Sequence, residues 1–175
     1  MKHTLLFLLL LSCTAPAPKL ASRVSLLVDT PTASGTGFPI SPTVIVTARH
    51  VVEGHPPESI TVNNLQPADI RHLEGLDASL LIFQDPHNLK PWPVAVRSPK
   101  PAERLYMSGW GVGEHWWSEG LATDDPGRIS MNVAPGDSGA PIMNDDLEVV
   151  AMVVAKGYMA NHHTWVIPIQ AILTR

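Results

Sequence analysis

Short runs of β-forming residues, most of them bounded by proline, glycine, asparagine or aspartate, recur along most of this chain. The chain has 175 residues and 17 prolines, nearly twice the usual share of about 5%. Proline and glycine interrupt long helices, and no amphipathic stretch separates the runs as a parallel α/β fold requires. Many short strands predict an all-β sandwich or barrel. The predicted strands are Val24–Val28, Thr43–Thr47, Ser59–Val62, Ala78–Phe83, Leu105–Ser108, Gly127–Met131, Glu148–Ala155 and Thr164–Ile167.

A proline-rich stretch divides these strands into two groups. Five prolines fall between Asp85 and Pro101, a density that favours an extended connection over a strand or helix. We therefore expect a first β unit over residues 22–85, a linker over 86–101 and a second β unit over 102–170. The segment Ile169–Leu173 is expected to form a short closing helix.

The composition suits a globular domain and argues against nucleic acid as a partner. Apolar residues make up 45% of the chain, which is normal for a protein with a packed core. The net charge is −4, and no two Lys or Arg residues are adjacent. A nucleic-acid-binding surface is therefore not expected.

The N-terminal residues have the pattern of an export signal. Lys2 precedes an apolar run from Leu5 to Leu11, which is shorter than the roughly 20 residues that a membrane-spanning helix needs. This pattern predicts a secretory signal over residues 1–12. The four residues that end at Cys13, Leu-Leu-Ser-Cys, resemble a bacterial lipobox, which implies that Cys13 carries lipid.

Cys13 is the only cysteine in the chain, so no disulfide within the chain is possible. Residues 13–21 are rich in proline and alanine and are expected to form an extended tether. The expected location is the bacterial cell envelope or periplasm, with the lipid anchor in a membrane. The alternative is cleavage after Ala15 or Ala17, which would release a soluble secreted protein.

The run Ala134–Pro141 places Ser138 between glycines, after an aspartate and a Pro-Gly turn. Glycine tolerates backbone angles that other residues resist, so this run suits a sharp loop. Such a loop can turn a hydroxyl outward beside backbone N–H groups that stabilise an anion. A surface turn of the same composition is the alternative interpretation.

A nucleophilic serine needs a base, and that base needs an orienting carboxylate. Of the eight histidines, His50 comes shortly after an apolar strand and precedes two valines; a half-buried core histidine is the alternative interpretation. Asp77 directly precedes an apolar strand, where an unpaired buried carboxylate would be costly. His50 and Asp77 are therefore the candidate partners of Ser138.

Three segments in the order His, Asp, Ser resemble the signatures of chymotrypsin-like serine proteases with the trypsin fold, and that chain order is theirs. Three further segments are similar to parts of the protease domain of bacterial Deg/Htr proteases, and the resemblance covers residues 24–173. The first three segments are Thr47–Val52, Asp77–Leu81 and Gly136–Pro141; the others are Gly35–Ile40, Tyr106–Gly111 and Trp165–Ile169.

The resemblance implies two antiparallel six-stranded β-barrels with the active site in the cleft between them. It implies that Ser138 attacks a peptide carbonyl, that His50 takes the proton and that Asp77 orients His50. The backbone N–H groups of Gly136 and Ser138 would stabilise the oxyanion. Protein or peptide substrates are expected, with no metal and no cofactor.

By position in this family, Asn132 is expected at the base of the primary specificity pocket. The expected wall residues are Val153, Val154 and Ala155. In zymogen-activated members of this family, a new N-terminal amine pairs with the aspartate that precedes the nucleophile, here Asp137. A lipidated N-terminus has no free amine, so we expect Asp137 to pair with a local group or water. Trp116 and Trp117 either line the cleft or pack inward.

Three functions are compatible with the sequence. The first is an exported, membrane-tethered serine endopeptidase. The second is a catalytically idle trypsin-fold protein that binds partners, against which the intact trio His50, Asp77 and Ser138 argues. The third is a structural lipoprotein of another fold.

Overall fold

The computed structural model describes residues 24–86, 88–154 and 163–175. It confirms the predicted all-β architecture of two six-stranded antiparallel units followed by a short helix. Cys13, the signal and tether residues before Val24, and Ala155 lie outside the described residues.

The first unit is a curled sheet with strand order β4-β1-β2-β3-β6-β5. Its end strands, β4 and β5, form no ladder with each other in the described chain, so hydrogen bonding leaves this unit open. A four-residue helix, α1, follows β3, and a 3-10 turn precedes β4. The elements are β1 (Leu26–Asp29), β2 (Ser34–Ser41), β3 (Val44–Thr47), α1 (Arg49–Val52), the 3-10 turn (Pro57–Ser59), β4 (Thr61–Val62), β5 (Asp69–His72) and β6 (Ser79–Ile82).

The second unit is a closed barrel with strand order β10-β11-β12-β9-β8-β7. Closure removes the unpaired strand edges that an open sheet exposes. A 3-10 turn links β7 to β8, and helix α2 follows β12. The elements are β7 (Arg104–Gly109), the 3-10 turn (Gly111–Gly113), β8 (Trp116–Ala122), β9 (Arg128–Met131), β10 (Pro141–Met143), β11 (Val149–Val153), β12 (His163–Pro168) and α2 (Ile169–Leu173).

The segment between the two units is bonded to both of them. Trp92 donates its backbone N–H to Pro39 of β2, while Val149 of β11 donates to Pro93. Val94 forms a parallel bridge with Val149. The indole ring of Trp92 lies 6.2 Å from the ring of Phe38. The connection therefore fixes the second unit against the first.

Two clusters of buried side chains form the core. One fills the inside of the second barrel. The other fills the first unit and continues across the outer side of β11 to Ile169 and Ile172 of α2. Since burying a large aliphatic side chain stabilises a fold by about 1.5–3 kcal/mol, this shared cluster holds the two units in one relative position. None of the helices in the described part of the chain has the length and hydropathy of a membrane span.

Candidate active site

The register of β3 against β6 brings His50 to Asp77. Thr47 pairs with Ser79 in this antiparallel ladder, so the residues after Thr47 run beside the residues before Ser79. His50 lies on α1, whose Val51 and Val52 are buried. The buried valines hold this short helix down and leave the imidazole at the surface of the unit.

Asp77 makes two contacts with His50. Its Oδ1 accepts a 2.9 Å hydrogen bond from the backbone N–H of His50, and its Oδ2 lies 2.8 Å from Nδ1 of the imidazole. A carboxylate oxygen is an acceptor, so Nδ1 carries the ring proton. The Nε2 atom is then free to act as an acceptor.

Ser138 approaches His50 from the second barrel. Its Oγ lies 3.0 Å from Nε2 of His50, so the hydroxyl donates to the ring in this tautomer. The side chains of His50 and Asp77 are 33% and 17% exposed. The structure thus brings the three predicted residues into one chain of hydrogen bonds at the boundary of the two units.

The loop that carries Ser138 is fixed by backbone contacts on both sides. Gly139 has φ +90°, and a Cβ there would collide with the carbonyl of Thr36, so this position needs glycine. Gly139 donates its N–H to Val153 of β11, and Thr36 of β2 donates its N–H to the carbonyl of Ser138 at 2.8 Å. The serine is therefore held between the two units.

The Pro135–Gly136 peptide has a defined orientation. Val112 donates its backbone N–H to the carbonyl of Pro135 at 2.7 Å. The described chain contains no cis peptide, and in a trans peptide the N–H points opposite to the carbonyl. The N–H of Gly136 therefore points away from Val112. Val112 itself adopts φ +50°, which is unusual for a β-branched residue.

Asp137 is completely buried, and its partners are donors of the second unit, of which only Ala134 is close to it in sequence. Oδ1 accepts a 2.8 Å bond from the indole N–H of Trp116, and Oδ2 accepts a 2.7 Å bond from the backbone N–H of Ala134. The backbone N–H of Gly111 is a further donor. Burial raises the pKa of Asp137, and these hydrogen bonds oppose the rise.

The two adjacent tryptophans have different surroundings. Trp116 contacts Asp137, as described above. Trp117 packs against the larger core cluster, and its ring meets the ring of His115 edge-on at a centroid distance of 5.6 Å.

Three of the four predicted specificity residues lie in the described part of the chain, and Ala155 lies outside it. Asn132 is exposed and lines a shallow pocket with Glu119, Ser130 and Met131. Val153 is fully buried in the core of the second barrel. Alternation along β11 turns its side chain inward, away from the cleft.

Val154 lines a cleft of about 480 Å³ beside Asp77. Leu76 lies on the wall of the first unit, and Trp165 lies on the wall of the second. Within the described ranges, no group of three or more His, Cys, Asp and Glu side chains is placed to hold a metal ion.

Residues 35–152 match the family described as "Trypsin-like peptidase domain". The chain belongs to the trypsin-like peptidase family. A comparison with curated proteins gives no significant match.

Solved structures share the fold of this trypsin-like chain. The active form of the Rv3671c protease from M. tuberculosis is 20% identical, with a TM-score of 0.75; the match covers 89% of this chain and 81% of that one. A serine endoprotease from Yersinia pestis is 18% identical, with a TM-score of 0.72 and coverages of 87% and 61%. An inactivated protease paralogue from the scabies mite, S-I1, is 14% identical, with a TM-score of 0.74 and coverages of 86% and 91%.

Sequence reasoning did not find the contacts that three residues make in this trypsin-like site. Thr36, Val112 and Trp116 each bond to the loop that carries Ser138. The aspartate beside Ser138 was a signal that some donor must lie near, because a buried carboxylate needs partners. No local pattern identified Trp116 as that donor.

Proposed function

We propose that this protein is a serine endopeptidase that hydrolyses peptide bonds through an acyl-enzyme intermediate. One observation carries the proposal, the hydrogen-bond chain from Asp77 through His50 to Ser138. A serine hydroxyl is weakly nucleophilic unless a base lies within reach, and here the base is present in the tautomer that accepts its proton. Membership of the trypsin-like peptidase family supports the same chemistry.

In the first half of the reaction, Ser138 Oγ attacks the carbonyl carbon of the scissile peptide. Nε2 of His50 takes the hydroxyl proton, and Asp77 stabilises the imidazolium that forms. The tetrahedral intermediate then collapses, the C–N bond breaks, and His50 gives its proton to the departing amine. The acyl group remains on Ser138 as an ester.

In the second half, water replaces the amine. His50 removes a proton from the water as its oxygen attacks the ester carbonyl. The second tetrahedral intermediate releases the carboxylic acid, and the proton returns from His50 to Ser138. Both halves form an oxyanion, for which the N–H groups of Gly136 and Ser138 are the proposed donors; removing one such donor in other serine hydrolases costs about 10²–10³ in rate.

A fluorophosphonate probe tests this function directly. It phosphonylates an activated serine, so the purified wild-type protein should be labelled and the Ser138→Ala variant should not. A useful control is Ser130→Ala, a serine of the second barrel outside the hydrogen-bond chain, which should label like the wild type. Failure of the wild type to label, or equal labelling of Ser138→Ala, would overturn the proposal.

The alternative is a catalytically idle protein that binds partners through its cleft. The likeness to inactivated protease paralogues shows that this fold also occurs in proteins described as inactivated. The intact hydrogen-bond chain of His50, Asp77 and Ser138 favours the enzyme. The labelling experiment separates the two functions, because an idle protein would be folded and unlabelled.

We further propose that the protein is exported and held at the bacterial envelope by a lipid on Cys13. The apolar run at residues 5–11 and the Leu-Leu-Ser-Cys sequence support this location. Mass spectrometry of the mature N-terminus tests it. A lipidated peptide that begins at Cys13 is expected, whereas an unmodified peptide that begins after Ala15 or Ala17 would indicate a secreted soluble protein.

A further inference from the structure

The carboxylate of Asp137 lies directly behind the loop that carries the candidate nucleophile. In the chain, Asp137 lies between Gly136 and Ser138, whose backbone N–H groups are the proposed oxyanion donors. Asp137 is fully buried, and its two oxygens take hydrogen bonds from the indole of Trp116 and the backbone of Ala134. The position of this carboxylate therefore fixes the backbone on each side of it.

The backbone of the same turn is closed around Asp137. Its N–H donates to the carbonyl of Ala134 at 3.0 Å, and its own carbonyl accepts from Ala140 at 2.8 Å. These bonds tie the turn to itself, but they do not tie it to the rest of the barrel. The side-chain carboxylate adds a connection to β8 through Trp116, beside the backbone bonds that Val112 and Val153 make with this loop.

The barrel leaves a close-fitting space for this contact. A Cβ on Gly109 would collide with Oδ1 of Asp137, and a Cβ on Gly111 would come within 2.5 Å of Nε1 of Trp116. The end of β7 and the turn after it therefore press the carboxylate against the indole. The contact is part of the barrel's packing and is not a loose surface interaction.

We propose that Trp116 is a positioning residue for the oxyanion pocket, and that its indole N–H holds the Asp137 carboxylate so that the loop bearing Gly136 and Ser138 is assembled in advance. The inference rests on the proposed function of the same site. An indole N–H is a donor only and does not titrate in the working range of an enzyme. The donor in this contact is therefore the same at any working pH.

The indole N–H is one of three donors that offset the cost of burying this carboxylate. A buried carboxylate without hydrogen bonds is unfavourable, and the raised pKa of Asp137 shows that burial outweighs its present donors. Loss of the indole N–H would raise this pKa further and would favour the protonated acid. A protonated Asp137 is a donor at one oxygen and can no longer accept all of its present bonds.

The test compares Trp116→Phe with wild type, using hydrolysis of p-nitrophenyl acetate and titration of active sites with a fluorophosphonate. The variant keeps an aromatic ring and removes the N–H donor. We expect kcat per titrated site to fall about 10- to 100-fold, the effect of losing a hydrogen bond to a charged group. KM should change by less than about threefold, because the pocket acts on the transition state.

The matched control is Trp117→Phe, which removes the neighbouring indole N–H in a residue that packs on the core and on His115. It should keep the wild-type kcat per titrated site. Normalisation to titrated sites separates positioning from a structural role, since a merely destabilised variant loses sites and keeps the rate of each remaining site.

The outcomes are distinct. Trp116→Phe with a wild-type kcat per titrated site, or an equal loss in Trp117→Phe, would overturn the positioning role. A wild-type protein that is not labelled would instead overturn the proposed function. If Trp116→Phe does not fold, the indole N–H of Trp116 in wild type is followed by NMR. Slow exchange with solvent supports the inference, and fast exchange contradicts it.

Discussion

Thr36 Oγ1 donates a 2.7 Å hydrogen bond to the carbonyl of Gly136, 100 residues later in the chain. The same hydroxyl oxygen accepts a 3.0 Å bond from the backbone N–H of Trp110. Thr36 is fully buried and belongs to the first unit, whereas Gly136 and Trp110 belong to the second. The side chain of Thr36 therefore connects the loop that carries Ser138 to strand β2 of the first unit.

This relationship predicts that Thr36→Val impairs both stability and catalysis. Valine has the shape of threonine but would leave the carbonyl of Gly136 and the N–H of Trp110 without this partner. The free energy of unfolding should fall by about 1–3 kcal/mol, and kcat should fall because the loop loses a fixed point. Urea unfolding and p-nitrophenyl acetate hydrolysis measure the two effects.

Thr164→Val is the matched control for that substitution. Thr164 is also buried, and its hydroxyl donates to the carbonyl of Met131 at 2.8 Å, away from the candidate nucleophile. It should lose stability and keep the wild-type rate per titrated active site. A similar loss of rate in both variants would show that Thr36 has no specific effect on the loop.

A second prediction concerns the tautomer of His50. In Asp77→Asn, the backbone N–H of His50 would still bond to the amide oxygen, so the amide NH₂ would face Nδ1 of the ring. The ring would then carry its proton on Nε2 and could not accept from Ser138. Esterase activity should fall by about 10⁴, the size of this effect in another serine protease.

Asp145→Asn is the control for a change from carboxylate to amide. Asp145 is exposed and accepts a 3.0 Å bond from the hydroxyl of Tyr106. The esterase activity of Asp145→Asn should match that of the wild type. An Asp77→Asn variant with more than about a tenth of the wild-type activity would contradict the inferred tautomer.

Much of the fold followed from local pattern. The β-branched run at Thr43–Thr47 became β3, and the apolar run at Ala78–Phe83 became β6, because both strands are buried between neighbours. In contrast, β5 reads Asp-Ile-Arg-His, and its strand character comes from pairing with β6. Residues Trp116–Ala122 include Glu119 and Gly120, which hid β8 from a search for apolar alternation.

In the candidate site, too, some features could be predicted from the sequence and others depend on tertiary packing. Ser138, His50 and Asp77 could be found because their residue types and chain order are informative about chemistry. The contact between Thr36 and Gly136 could not be found, because it depends on how two units pack. The direction of the Val153 side chain could not be found either, because it depends on where alternation begins in β11.

A third prediction is a pH dependence of stability that arises from His115. Its Nε2 lies 2.8 Å from the hydroxyl of Ser108, and its ring lies edge-on to Trp110 and Trp117 at 5.6 Å. Burial lowers the pKa of His115 from its ordinary value of 6.5. Below that ordinary value, the unfolded chain therefore binds more protons than the folded protein does.

The sign of the effect follows from this difference. As the pH falls from 6.5 to the lowered pKa, His115 makes unfolding progressively easier, and the loss is complete below the lowered pKa. His115→Gln should therefore reduce the slope of unfolding free energy against pH in this window. Urea titrations at several pH values measure it, with the exposed His72→Gln as the comparison. An equal change in both variants would exclude His115 as the source.

The last prediction concerns the strained backbone at Val112, whose N–H holds the carbonyl of Pro135. Its φ of +50° costs an L-residue about 1–2 kcal/mol, while glycine adopts this angle freely. Glycine also makes the unfolded chain more flexible, which costs about 0.4–1 kcal/mol. Val112→Gly should therefore be more stable than wild type by up to about 1.6 kcal/mol, as measured by thermal and urea unfolding. Val96→Gly is the control, because Val96 is 95% exposed without a positive φ; it should gain nothing, and a loss of stability in Val112→Gly would contradict the strain.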